Sequence, residues 1–254
     1  MKPIRVIPIL TVSGTRLVKT ERFKKPIYLG DPLNAIKVFN DKEVDELVLL
    51  DIGATTNKSD IQFDLIREAA GECFMPLAYG GGIKNLDEIK RLFSIGLEKV
   101  ILSSVLFEAG LDIVSKAASE FGSQSVVACI DVKKNFWGKL VCTINSGTKI
   151  IKCNFSELIK DLEGAGIGEI IINNVDRDGT FLGLDLEITE MFSSISTRPL
   201  VTVGGLNSIE NIYEITEKTK CMAVGGGSFF SFRNNNRNSI LISYPKITFN
   251  KQVK

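Results

Sequence analysis

Asp131 ends the apolar run Val126-Val-Ala-Cys-Ile130. A carboxylate delivered by a buried strand is a candidate general acid or base, because burial raises its proton affinity towards neutrality. The run Ile4-Arg-Val-Ile-Pro-Ile-Leu10 has the same character but delivers Thr11, which stands 120 positions before Asp131. A hydroxyl does not ionise near neutral pH. Thr11 can therefore orient a group but cannot shuttle a proton as a carboxylate does. The chain contains no histidine. That excludes histidine triads and histidine-liganded metal centres, and leaves acid–base work to Asp, Glu, Lys, Tyr or Cys. Five cysteines form no Cys-x-x-Cys pair and read as free thiols of a reducing compartment. Neither a metal nor a cofactor is called for.

Glycine pairs supply a second kind of chemistry. Gly80-Gly-Gly-Ile83, Gly204-Gly205 and Gly226-Gly227-Ser228 each follow an apolar run, as do Ser103-Ser104 and Asp178-Gly179-Thr180. Glycine lets backbone N–H groups approach phosphate oxygens, and the N-terminus of a following helix favours the anion. One pair alone reads as a turn. Recurrence at matching places, each near a Ser or Thr, predicts two phosphate sites and a ligand with a phosphate at each end. A third pattern is charge at the starts of runs: Arg5, Glu46, Lys99 and Glu169. Two bases and two acids there could close a ring of ion pairs; spacing alone fits ordinary surface charge equally well.

The elements that must position these residues are legible. Eight runs rich in Val, Ile and Leu recur at Arg5–Val12, Glu46–Ile52, Pro76–Gly80, Lys99–Ser103, Ser125–Asp131, Glu169–Asn174, Pro199–Val203 and Cys221–Gly225. Continuous apolar runs suit strands of a parallel sheet buried on both faces. Helices open at Asp31-Pro32, at Asn85 or Asp87, at Asp112, at Asn154 and at Ser208, and Gly96 and Gly122 end two of them. Internal similarity organises the whole. Glu46-Leu-Val-Leu-Leu matches Glu169-Ile-Ile-Ile-Asn, and Met75-Pro-Leu-Ala-Tyr-Gly-Gly-Gly-Ile matches Arg198-Pro-Leu-Val-Thr-Val-Gly-Gly-Leu, both 123 positions apart. Ser103-Ser104 falls opposite Gly227-Ser228, 124 apart. These observations predict an α/β fold, a single (βα)8 TIM barrel over residues 1–254 with a twofold repeat of half-barrels at about 1–122 and 123–245.

The chain has 254 residues and a formal charge of +1. There is no basic field to recruit nucleic acid and no polybasic stripe for a membrane. No signal-peptide pattern and no apolar run of about 18 residues is present, so a cytoplasmic protein is expected.

The motifs Arg16-Leu-Val-Lys19, Gly30-Asp31-Pro32, Asp45-Glu-Leu-Val-Leu-Leu-Asp51-Ile, Tyr79-Gly-Gly-Gly-Ile83, Phe121-Gly-Ser-Gln124, Val127-Ala-Cys-Ile-Asp131 and Asp176-Arg-Asp-Gly-Thr180 carry a resemblance from Ile4 to about Phe232. The chain resembles the HisF family, the cyclase subunit of imidazole glycerol phosphate synthase. The resemblance implies a partner of the HisH type, a glutaminase that makes ammonia at the barrel's N-terminal face. It also implies an ammonia path through the barrel to a bisphosphate ligand at the C-terminal face. The gate of that path would be Arg5, Glu46, Lys99 and Glu169, with Glu98 and Gln124 contacting the glutaminase. The phosphate sites would be Gly82, Ser103 and Ser104 on one side, and Gly179, Gly205, Gly227 and Ser228 on the other, with Ser103 in place of the family's Asn. Lys19 would be the lysine of a mobile loop that closes over substrate. The family's acid–base pair is two aspartates; Asp131 is the second, and Thr11 replaces the first. Asp51 or Asp178 would have to take up the missing carboxylate's task. Three functions stay open: a cyclase subunit in histidine biosynthesis, a diverged paralogue supplying ammonia to another acceptor such as a sugar of a surface polysaccharide, and a non-catalytic activator of the glutaminase.

Overall fold

In a computed structural model, residues 4–55, 57 and 59–247 are described. The first half of the chain runs β1 (Arg5–Ser13), β2 (Arg16–Glu21), β3 (Lys24–Gly30), α1 (Pro32–Asp41), β4 (Leu47–Asp51), α2 (Phe63–Glu72), β5 (Leu77–Gly80), α3 (Leu86–Ile95), β6 (Lys99–Leu102), α4 (Ser104–Glu108) and α5 (Asp112–Phe121). The second runs β7 (Val126–Lys134), β8 (Leu140–Ile144), β9 (Lys149–Ile151), α6 (Phe155–Gly164), β10 (Glu169–Asn174), α7 (Leu186–Ile195), β11 (Leu200–Val203), α8 (Ile209–Lys218), β12 (Ala223–Gly226) and α9 (Ser228–Ser231). Strands β1, β4, β5, β6, β7, β10, β11 and β12 pair in parallel in that order, and β12 returns to β1. The result is a closed (βα)8 barrel.

Local chemistry sets the helix starts. The side chains of Asp31, Asn85, Asn154 and Ser208 accept backbone N–H bonds at the first turns of α1, α3, α6 and α8. Gly96 closes α3 in the left-handed conformation at φ 110°. Two antiparallel hairpins were not anticipated. β2–β3 hangs on the end of β1, and β8–β9 hangs on the end of β7, which runs on to Lys134 instead of stopping at Asp131. Their strands are short and their turns lack a paired Asn-Gly signal.

Side chains alternate across each strand, so every second residue enters the barrel. One apolar cluster, including Ile7, Ile9, Val48, Ile101, Val127, Cys129, Ile171 and Val201, fills the interior. The larger cluster, including Val6, Leu10, Leu49, Ile130 and Ile172, packs the strands against the helices. Ladder registers recur at the sequence offsets: Leu49 pairs with Tyr79 and Ile172 with Thr202, while Leu50 lies beside Thr11 and Asn173 beside Asp131.

Candidate active site

Strand parity stacks three kinds of residue on the same inward columns. Arg5, Ile7, Ile9 and Thr11 form one column; Glu46, Val48 and Leu50 a second; Lys99, Ile101 and Ser103 a third; Glu169, Ile171 and Asn173 a fourth. Each column opens on a charge and continues apolar; three end on a polar residue, Thr11, Ser103 or Asn173, and the Glu46 column ends on Leu50. A cavity of about 350 Å³ opens at the C-terminal end, and its floor includes Ile9, Val48, Ile101, Cys129 and Ile171. Val48, Ile101 and Ile171 are each two residues beyond a member of the charged set.

That set forms a closed ring. Arg5 binds Glu46 at 2.7 Å and also Glu169; Lys99 binds Glu46 at 2.8 Å and Glu169 at 2.9 Å. Both glutamates are buried. Burial opposes ionisation of Glu169, but the Arg5 hydrogen bond and the charges of Lys99 and Arg5 outweigh it and hold the carboxyl below its ordinary range. Glu98 and Gln124 are exposed at the same end, one residue before β6 and two before β7. Glu98 also accepts a hydrogen bond from the Leu77 backbone at 2.7 Å.

At the mouth, Asp131 borders the cavity and accepts a hydrogen bond from Asn173 Nδ2 at 2.9 Å. Burial raises its pKa to about 7; the Asn173 bond opposes the shift and the Asp178 charge adds to it. Asn173 Oδ1 is buried and has no hydrogen-bond partner among the described residues. Thr11 also lines the cavity, but its hydroxyl donates to the Val18 carbonyl across the β1–β2 hairpin. Asp51 lines the opposite wall, where its Oδ1 accepts from the Gly53 and Ala54 N–H groups at 2.9 and 3.0 Å. Burial raises its pKa against those two bonds.

Hairpin β2–β3 crosses the mouth. Lys19 is buried in an ion pair with Asp178 at 2.9 Å, while Asp178 Oδ2 has no partner. Arg237 fastens the crossing: its Nη1 donates to the Thr20 and Gly179 carbonyls at 3.1 Å, and its Nη2 to the Lys19 carbonyl at 3.3 Å. Hydrogen bonds from a charged donor contribute about 1.5–3 kcal/mol each. In Arg237→Ala, tryptic cleavage after Arg22 and Lys24 is therefore expected to accelerate at least about 10-fold, as cleavage follows the open population. An unchanged cleavage rate would remove Arg237 from this role.

The glycine sites fall in two places. Gly179, Gly205, Gly227 and Ser228 line one small pocket, and the Ser228 hydroxyl is buried without a partner. A Cβ on Gly205 would lie 2.4 Å from the Gly183 carbonyl, so the position admits only glycine. Ser103 and Ser104 line the main cavity together with Gly80 and Gly81. Gly82 does not line it; both glycines are closely packed at positive φ, a Cβ on Gly82 meeting Ala54 at 2.7 Å and one on Gly81 colliding with the Asp51 carbonyl.

The histidine biosynthesis protein family model matches residues 5–234. A relative from Pseudomonas aeruginosa, provisionally named imidazole glycerol phosphate synthase subunit hisF2, is 45% identical over 243 residues, covering 96% of each chain. The chain belongs to the HisF family of histidine biosynthesis proteins. Another HisF relative from Vibrio vulnificus, provisionally named as subunit hisF3, shares 41% identity over 250 residues, 98% of this chain and 95% of that one. The imidazole glycerol phosphate synthase subunit HisF of Streptococcus gordonii shares 34% over 228 residues, 90% of each. Within this HisF-family barrel, two site residues escaped the sequence reading. Asn173 looked like the tail of an apolar run, and Arg237 sat in a polar loop, Asn234-Asn-Asn-Arg-Asn. Nothing in either local pattern points to its partner. Among the described residues no group of acids and cysteines is placed to hold a metal, and no helix is long and apolar enough to cross a membrane.

Proposed function

We propose that this chain is the synthase subunit of a two-part glutamine amidotransferase. A HisH-type glutaminase releases ammonia at the N-terminal face, and the barrel carries it to a bisphosphate ribulosyl ligand at the mouth. The observation that carries this reading is the succession along the barrel of a closed charged ring, an apolar layer and a polar mouth that includes Asp131. The ring's four charges are paired with one another and the apolar layer offers no partner for a charge, so neutral ammonia is the species that passes. At the mouth, Asn173 Oδ1 is an acceptor for an incoming N–H, and Asp131 exchanges a proton near neutrality. The ligand's phosphates would take the Ser103–Ser104 wall and the Gly205–Ser228 cradle, where an orphaned hydroxyl awaits an acceptor. Lys19 would close from above.

One observation favours a second reading, in which ammonia goes to an acceptor other than the cyclase substrate. The Thr11 hydroxyl is committed to Val18, so the mouth holds one of the family's two acid–base carboxylates. The alternatives separate in one experiment with the chain and its glutaminase. Turnover of the ribulosyl formimino substrate with ammonium salts supports a cyclase. Absence of turnover, with activity gained by Thr11→Asp, supports the paralogue sugar-amidation reading. Stimulated glutamine hydrolysis with no ammonia transferred in either variant supports an activator. Failure to bind or stimulate a glutaminase overturns the amidotransferase assignment.

A further inference from the structure

Phe136 and Trp137 stand at the tip of the β7–β8 hairpin, 93% and 86% exposed, with their rings edge to face at 5.4 Å. The tip is held, not frayed. Asn135 N donates to the Lys139 carbonyl at 2.8 Å, and Asn135 Oδ1 accepts from the Trp137 and Lys139 N–H groups at 2.9 and 3.0 Å. Two large rings kept ordered in water mark a contact surface, because such rings bury about 150–250 Å² each when covered.

Charge points to what covers them. From Val132 to Cys153 the chain has Lys133, Lys134, Lys139, Lys149 and Lys152 and no acid. Lys133 braces the hairpin through the Gly147 carbonyl. None of the five enters an ion pair among the described residues. The far end of β8 turns through Asn145 and Ser146, which line the cavity. The hairpin thus rises from the rim of the cavity, and its tip lies about 17 Å beyond Asp131 along the strand at the usual rise per residue.

We propose that this hairpin docks an acidic protein across the barrel mouth, the protein that takes over what leaves the cavity. The proposal rests on the ammonia-transfer reading and deepens it by naming the acceptor's surface: acidic, with a socket for two aromatic rings. Nucleic acid would call for an extended basic track, whereas the lysines of this hairpin form a short patch on a chain with net charge +1. Exposed aromatic anchors ringed by charge are the pattern of protein hot spots.

The test uses the full chain with its glutaminase. A photo-crosslinking benzoylphenylalanine replaces Phe136 in cells, with the same probe at Lys116 on α5 as the control. The captured protein is identified, purified and titrated. An acidic protein captured only from position 136 is expected, with Kd raised at least about 30-fold by Trp137→Ala. A Lys134→Glu, Lys139→Glu variant is expected to weaken binding about 10-fold, an effect that fades at high salt. The proposal is overturned by no specific capture, by capture of a second copy of this chain, or by unchanged affinity in both variants. It is also overturned if a single-stranded DNA 30-mer or phosphatidylglycerol vesicles bind the hairpin more tightly than the captured protein. Glutaminase stimulation is read in parallel at the opposite end of the barrel. Its loss in the unmodified chain counts against ammonia transfer, whereas its persistence without capture counts against the docking surface alone.

Discussion

In Asp131→Asn, reaction at the mouth should fall by about 10²–10⁴-fold while the fold gains stability above pH 7. The two effects share a cause. The carboxyl is held at about 7 in the folded protein, chiefly by burial, whereas an unfolded aspartate loses its proton near 3.9, to within about a unit. Between those values the folded state binds more protons than the unfolded one, so stability falls as pH rises through the window and reaches its floor above about 7. The asparagine amide keeps an acceptor for Asn173 and carries no charge to desolvate. At pH 8 the variant should therefore exceed the wild type by up to about 4 kcal/mol, an upper bound from the full shift. Below pH 4 the difference should vanish. Urea titrations at pH 4 and pH 8 check this; equal midpoints at pH 8 would show that Asp131 is not held near neutrality.

Removing Glu169 should be the most damaging change at the other end. Glu169→Ala leaves Arg5 and Lys99 sharing Glu46 alone in a largely buried ring. Breaking a buried ion pair from one side costs about 3–5 kcal/mol; partial exposure of Arg5 places this case near 3. That corresponds to a fall of roughly 6–12 °C in Tm. Because the Glu169 carboxyl sits below its ordinary range, its contribution should be present above about pH 4.5 and lost as pH falls below that. The informative contrast is the fully apolar ring, Arg5→Met, Glu46→Leu, Lys99→Met and Glu169→Leu together. Replacing a whole buried ion set with apolar groups is often neutral or stabilising. The quadruple variant is expected to keep wild-type stability to within about 2 kcal/mol and to lose glutamine-dependent transfer while retaining ammonium-dependent transfer. Loss of stability with transfer intact would make the ring a structural device.

Much of this molecule is readable locally. Asp31, Asn85, Asn154 and Ser208 act as helix caps within their own first turns, so sequence alone places α1, α3, α6 and α8. The eight apolar runs place the barrel strands, although β5 and β11 begin one residue after the Pro that opens each run. The hairpins β2–β3 and β8–β9 were hidden because their strands are short and depend on pairing with β1 and β7. Arg237 was hidden for a related reason: its acceptors are the carbonyls of Lys19, Thr20 and Gly179, at least 58 residues away.

What sequence alone determined was the order of residue types along single strands: a charge opening four of the runs, apolar residues within, and Thr11 or Asp131 ending two of them. Those are nearest-neighbour properties, set by side-chain alternation and turn chemistry over a few residues. Whether four charges meet was decided only by barrel closure, which brings Arg5 within bonding reach of Glu46 and Glu169 across separations of 41 and 164 residues. The mouth follows the same division. Threonine at position 11 is a fact of sequence, but the loss of its hydroxyl to Val18 needs the β1–β2 pairing. The near-neutral carboxyl of Asp131 likewise needs the surrounding strands to exclude water.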